Sequence, residues 1–255
     1  MNTRILCWLV SGTFVTALAC APNEAEQGAE DPCADVNVLS DAEEAEGWTL
    51  LFNGEDLAGW HGYNGGALEA WMIEDCAIKS LGTEGNYGSD TRTDLVTDAE
   101  YTDFEFSIDW KATAGGNSGL MYGVIEDEKY GAAWQTGPEY QLVDDAGSPD
   151  DVRDVNQTAA DYDMRAPAAD KLLRPVGEWN TSRIVVQGSH VEHWLNGAKV
   201  LEFERWDEEW ENLKNASKWG EYPDYGSAAT GHIVIQDHGS VFWFRNVKVR
   251  EIGQE

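Results

Sequence analysis

Apolar and polar side chains alternate at every second residue along much of this chain, a period that predicts strands. The clearest run is 104–111, where Phe104, Phe106, Ile108 and Trp110 alternate with Glu105, Ser107, Asp109 and Lys111, as in a strand with one buried face. A second run follows the Gly137-Pro138 turn. It sets Glu139, Gln141 and Val143 on one face and Tyr140, Leu142 and Asp144 on the other. The Tyr140/Leu142 face suits a core. A carboxylate and an amide then stand side by side on the opposite face, which is either a solvated strand surface or the floor of a groove. Shorter strand-like runs cover 48–52, 57–60, 71–73, 77–78, 120–125, 183–187, 191–195, 199–203, 232–237 and 241–252. Turn signals bound them, among them Asn53-Gly54, Glu74-Asp75, Gly188-Ser189, Asn196-Gly197 and the GGNSG stretch at 115–119. One segment, 205–219, spaces Trp206, Trp210, Leu213 and Trp219 close to a helical period, with Gly220 as a stop. Residues 82–94 and 146–175 read as loops, the second long enough to carry function. Many short strands and one minor helix predict an all-β sandwich.

The N-terminus follows a different logic. Arg4 precedes an apolar stretch at 5–18, and Ala17-Leu18-Ala19-Cys20 supplies a small-residue processing site, the pattern of a signal peptide over 1–20. The tetrapeptide resembles a lipobox, which makes Cys20 the candidate lipidation site and predicts export to the cell envelope, the periplasm or the exterior. The apolar stretch, about 14 residues, falls short of the roughly 20 that a spanning helix needs. Residues 21–46 are acidic and nearly devoid of large apolar groups, so a flexible tether is expected before a folded domain at 47–255. Cys33 and Cys76 remain after processing and predict a disulfide in an oxidising compartment.

A net charge of −30, from 47 acidic and 17 basic residues, argues against nucleic acid or an anionic membrane surface as partner. No calcium-loop pattern accompanies the acidity, which reads as a hydrated surface. Twelve Trp fit core packing or flat platforms for sugar rings.

WTLLFNGEDLAGW, FEFSIDWKATAGGNSGLMY, WQTGPEYQLVDD, YDMRAP, GEWNTSRIVVQGSHVEHWLNG and GHIVIQDHGSVFWFRNVKVREI, in this order, resemble the 3-keto-disaccharide hydrolase domain family over about residues 47–252. The resemblance implies a concanavalin A-like jelly roll of two antiparallel sheets, exported or lipid-anchored, acting on 3-keto-glycosides. The related glucanases carry an ExDxxE strand. Here Glu139-Tyr140-Gln141 keeps one acid and places an amide at the second position, which argues against ordinary two-carboxylate hydrolysis. A carbonyl at C3 acidifies the C2 proton, so one base, a stabiliser for the enolate oxygen and an acid for the leaving group suffice. The candidates are Glu139 or His238 as base, Arg245, Lys111 or a divalent metal as stabiliser, and His193 or Tyr122 as acid. Gln141, Lys111, Asn117, Tyr122, Tyr162 and Asp237 are candidate substrate contacts. His193, His238, Glu139 and Asp237 also suggest a carboxylate–imidazole metal site. Two rival expectations are a non-catalytic glycan-binding module and a protein partner docked on the Trp-bearing 205–219 segment.

Overall fold

The computed structural model describes residues 33–82, 92–149 and 152–253. The strands are β1 (Thr49–Leu50), β2 (Trp60–Gly62), β3 (Trp71–Glu74), β4 (Ala77–Leu81), β5 (Leu95–Tyr101), β6 (Phe104–Ala112), β7 (Asn117–Val124), β8 (Glu139–Val143), β9 (Asn180–Gln187), β10 (His190–Leu195), β11 (Ala198–Glu204), β12 (Gly231–Ile235) and β13 (Val241–Glu251). One sheet runs β11-β10-β9-β6-β13-β4-β3, with β1 paired to β13, and the other runs β2-β5-β12-β7-β8. Every pairing is antiparallel. The sheets stack as a jelly-roll β-sandwich. Phe104, Phe106, Ile108 and Trp110 of β6, with Phe242 and Phe244 of β13, share one buried cluster with Leu120, Tyr122, Tyr140 and Leu142 of the second sheet, as aligned sandwiches require.

The strand β5 escapes the alternation pattern because its ends are buried on both faces. Leu95 joins the main core, while Val96 joins a smaller cluster with Met121 and Val234. Its middle residues, Asp98, Ala99 and Glu100, are exposed.

Residues 33–46 depart from the expected tether. A disulfide joins Cys33 to Cys76 with a Cα–Cα distance of 5.8 Å. Asn37, 5% exposed, donates from its backbone to Asn246 Oδ1 (2.7 Å) and from Nδ2 to the Cys76 carbonyl (2.8 Å). A capping box at Ser40 starts the short helix α1 (Asp41–Ala45), and Glu43 pairs with Lys248 of β13. Hydrogen bonds and a covalent link hold this segment, so its lack of apolar residues does not free it. The described fold thus starts at Cys33 rather than Gly47. The signal sequence, Cys20 and residues 21–32 of the tether lie outside the described residues.

The helix α2 (Glu208–Ala216) is shorter than the 205–219 expected. Asp207 caps it by accepting from the Trp210 N–H (2.7 Å). A 3-10 turn at Lys218–Glu221 follows, with Gly220 inside it. Trp210 and Trp219 are fully buried and stack on Tyr225, the latter at 4.1 Å. Those rings face the core and offer no surface to a partner.

The long loop after β8 is ordered against it. The Ala159 N–H donates to the Gln141 carbonyl (2.8 Å), the Gln141 N–H to the Ala160 carbonyl (3.2 Å), and the Tyr162 N–H to the Glu139 carbonyl (3.0 Å). An edge strand is thereby covered, and all five residues of β8 are buried.

Candidate active site

On the face of the second sheet turned away from the sandwich core lies a cleft of about 760 Å³. Asn117 from β7, Glu139 and Gln141 from β8 and Gln236 after β12 line it, as do Asp94, Trp134, Tyr162, Lys218, Asp237 and His238 from the surrounding loops. Glu139 and Gln141 line the cleft while Tyr140 and Leu142 pack between the sheets, as two-residue alternation dictates.

Glu139 is only 4% exposed. Its side chain lies across Gly119 of β7, where an added Cβ would fall 2.1 Å from Oε1. A side chain at 119 could be accommodated only by displacing this carboxyl. With its amide turned to satisfy both ends, Gln141 donates to Glu139 Oε1 (3.1 Å) and to the Ser118 carbonyl (3.1 Å). Burial pushes the Glu139 carboxyl up to about 8, against the pull of Lys218 and with a further push from Asp94.

Asp94 accepts the Asp237 N–H at 2.9 Å, and burial, joined by the Asp237 charge, pushes it up to about 7. Asp237 is 8% exposed and its carboxyl is also raised by burial. Its Oδ1 takes the Gly239 N–H (3.0 Å), whereas among the described residues neither Oδ2 nor Gln236 Oε1 has a hydrogen-bond partner. These are buried acceptors left for a ligand's hydroxyl groups.

Lys218 stands at the exposed rim with its ammonium 4.2 Å from the ring centroids of Tyr162 and Trp219 and 5.9 Å from Trp134. Desolvation lowers its pKa, opposed by the charges of Glu139 and Asp163. His238 is exposed on the rim, and its carbonyl accepts from Arg92 Nη1 (3.2 Å).

The cleft brings together Glu139, Gln141, Asn117, Tyr162, Asp237 and His238. Four expected site residues lie elsewhere. His193 is fully buried on β10, 4.7 Å from the Tyr140 ring, with Nδ1 donating to the Ala159 carbonyl (3.0 Å). Burial drives its pKa down to about 4, so it is a neutral core residue and not an acid. Tyr122 is 1% exposed and shares the inward face of β7 with Leu120. Burial pushes its phenol far above the usual range. Lys111 and Arg245 sit on the outer face of the first sheet, because their neighbours Trp110 and Phe244 point inward. Lys111 lies 5.0 Å over Trp179 and 4.4 Å over Trp243, and Arg245 lies 4.0 Å over Trp179. With His193 in the core, the four-residue metal set does not assemble. His190, Glu192 and Glu202 do cluster among the described residues, but Lys199 already pairs with both carboxylates.

Alternation in 191–195 carried the signal that His193 faces inward with Val191 and Leu195. No comparable signal marks Asp94, Trp134, Lys218 or Gln236, which reach the cleft from separate loops. Of the Trp residues, Trp134 lines the cleft, while Trp60, Trp71, Trp110, Trp210 and Trp219 are buried.

Fold and cleft together define a jelly-roll β-sandwich with the buried Glu139 carboxyl, its amide neighbour Gln141 and a ring-flanked lysine on the outer face of one sheet. The chain belongs to the 3-keto-alpha-glucoside-1,2-lyase-like domain family, whose profile matches residues 47–250. It is 34% identical over 240 residues to the 3-keto-disaccharide hydrolase of Bacteroides thetaiotaomicron, covering 85% of this chain and 82% of that protein. A crystal structure from Parabacteroides distasonis, provisionally named a glycosyl hydrolase, is 42% identical with a TM-score of 0.79, covering 86% of this chain and 100% of that one. A second from the same organism, named likewise, is 26% identical with a TM-score of 0.60, covering 80% and 99%.

Proposed function

We propose that this protein is a carbohydrate-active enzyme that cleaves 3-keto-glycosides by elimination across C1–C2 and rehydration. One observation carries the reading: the Glu139 carboxyl lies buried on the cleft floor with its pKa raised to about 8, beside an amide where a two-acid glycosidase has its second acid. A carboxyl tuned toward neutrality accepts and returns a proton near the working pH. Its carboxylate takes the C2 proton, the C–H pair forms C2=C3, and the carbonyl pair moves onto the C3 oxygen. Return of that pair expels the aglycone from C1, and Asp94, raised to about 7, protonates the leaving oxygen. Water then adds at C1 and gives a proton to Asp94, while Glu139 returns its proton to C2, so that both groups are regenerated. Gln236 Oε1 and Asp237 Oδ2, acceptors without a partner among the described residues, take sugar hydroxyls, with Asn117, Gln141 and Tyr162 completing the contacts. The signal-like residues 4–20 support an exported protein lipidated at Cys20.

The test is incubation with a 3-keto-disaccharide and its unoxidised parent, with and without divalent metals. Product is expected from the keto-sugar alone. Glu139→Gln should lower turnover by roughly a hundredfold or more while binding holds. Saturable binding without product would make the domain a glycan-binding module, and a fully active Glu139→Gln enzyme would remove Glu139 as the base.

A further inference from the structure

We propose that Lys218 is a catalytic residue of this cleft, its ammonium stabilising the C3 oxygen as negative charge develops there. The inference rests on the keto-glycoside reading above. That chemistry needs a positive group beside the enolate oxygen, and the two cations suggested by the sequence, Arg245 and Lys111, stack on Trp179 and Trp243 outside the cleft. Among the described residues, two cationic side chains line the cleft, Arg92 and Lys218. Arg92 is exposed and donates to the His238 carbonyl.

Lys218 is placed differently. Its ammonium makes no ion pair with a carboxylate among the described residues and lies instead over the rings of Tyr162 and Trp219, with Trp134 farther off. Ring quadrupoles attract a cation without cancelling its charge, and they leave its N–H donors for a ligand. A carboxylate at ion-pair distance would have neutralised the group before substrate arrived.

The cage is rigid. The Lys218 N–H donates to Asp163 Oδ2 (3.1 Å), and Ser217 Oγ accepts the Trp219 N–H (3.2 Å). Trp219 is fully buried against Tyr225 and donates its indole N–H to the Tyr162 carbonyl (2.8 Å). Tyr162 in turn donates its N–H to the Glu139 carbonyl, so one chain of contacts fixes the base and the cation relative to each other. Partial desolvation weakens the competition of water for the ammonium, while Glu139 and Asp163 favour its charged form. The pair divides the first step. As Glu139 takes the C2 proton, the charge that leaves with it accumulates on the C3 oxygen and is met by Lys218. No charge is created without a partner.

The experiment compares wild type, Lys218→Met and Lys218→Arg on one 3-keto-disaccharide, following both cleavage and solvent-deuterium exchange at C2. Lys218→Met keeps the stem that packs on the rings and removes the charge. It should lower kcat by about 10²–10³-fold, slow C2 exchange in parallel and change KM little. Lys218→Arg restores charge without the same point geometry and should recover part of both rates. Wild-type cleavage with an unimpaired Lys218→Met, or a Lys218→Met that raises KM alone, overturns the assignment and leaves the proposed function standing. A wild type inert toward keto-sugars overturns both.

Discussion

Gly119 matters here for the side chain it lacks. In the β7–β8 register it lies opposite Gln141, diagonal to Glu139 two residues along β8, and the Glu139 carboxyl crosses the space that a Cβ would fill. Gly119→Ala should push the carboxyl off the cleft floor. A displacement of about 1 Å in a catalytic group can cost on the order of a hundredfold in rate, so kcat should fall by about 10–100-fold while the melting temperature changes by only a few degrees. A Gly119→Ala enzyme with wild-type kcat would show that the position of Glu139 is not critical. The same sheet logic explains His193: the alternation that turns Val191 and Leu195 inward takes the imidazole with them.

The segment before the sandwich behaves as an element of the fold. Cys33 is bonded to Cys76, which sits with Asp75 in the tight turn of the β3–β4 hairpin, both at positive φ. Asn37 and Asn246 exchange backbone-to-side-chain hydrogen bonds (2.7 and 2.8 Å), and α1 contributes Glu43 to Lys248. The bridge spans 43 residues, and closing a loop of that size stabilises a fold by about 2–4 kcal/mol. Replacing both cysteines by serine should lower the urea-unfolding free energy by that amount, and thiol titration of the denatured wild type should find neither sulfur of this pair free. Two free thiols at these positions would dismiss the bridge. Comparable order covers β8, whose outer edge is paired by residues 159–162 of the following loop.

Across the whole molecule, a chain carrying −30 also buries acids. Glu139 is raised to about 8, Asp94 to about 7, and Asp161, fully buried beside Arg165, to about 7. Between pH 4.5 and 8 the folded state keeps on Glu139 a proton that the unfolded chain has released. Stability therefore falls as pH rises through that window, at about 1.4 kcal/mol per pH unit for that one proton. His193 has the opposite sign. Its folded pKa of about 4 means that stability is lost as pH falls from about 6.5 toward 4, because the folded state refuses a proton that the unfolded chain accepts. Glu139→Gln should thus gain melting temperature over wild type progressively from pH 5 to 8 and hold a constant advantage above. A difference independent of pH would mean that the carboxyl is not held protonated by the fold.

The sequence by itself determined the strands whose two faces see different surroundings. Residues 104–111 and 139–143, the hairpin around Gly188-Ser189 and the final long strand all follow from alternation and turn chemistry, and so does the side of β8 on which Glu139 and Gln141 stand. That information is local, because each strand's own pattern states which face is buried. Tertiary structure alone decided which outward face becomes a cleft. Asp109 and Lys111 on β6 and Glu139 and Gln141 on β8 alternate equally well, yet one pair lies on the outer face of the first sheet and the other beneath loops on the second. The residues that give the cleft its electrostatics, Asp94, Gln236, Asp237 and Lys218, lie far apart in sequence. Their pKa values depend on desolvation and on one another's charge, and both exist only after the sheets have stacked and the loops have closed over them.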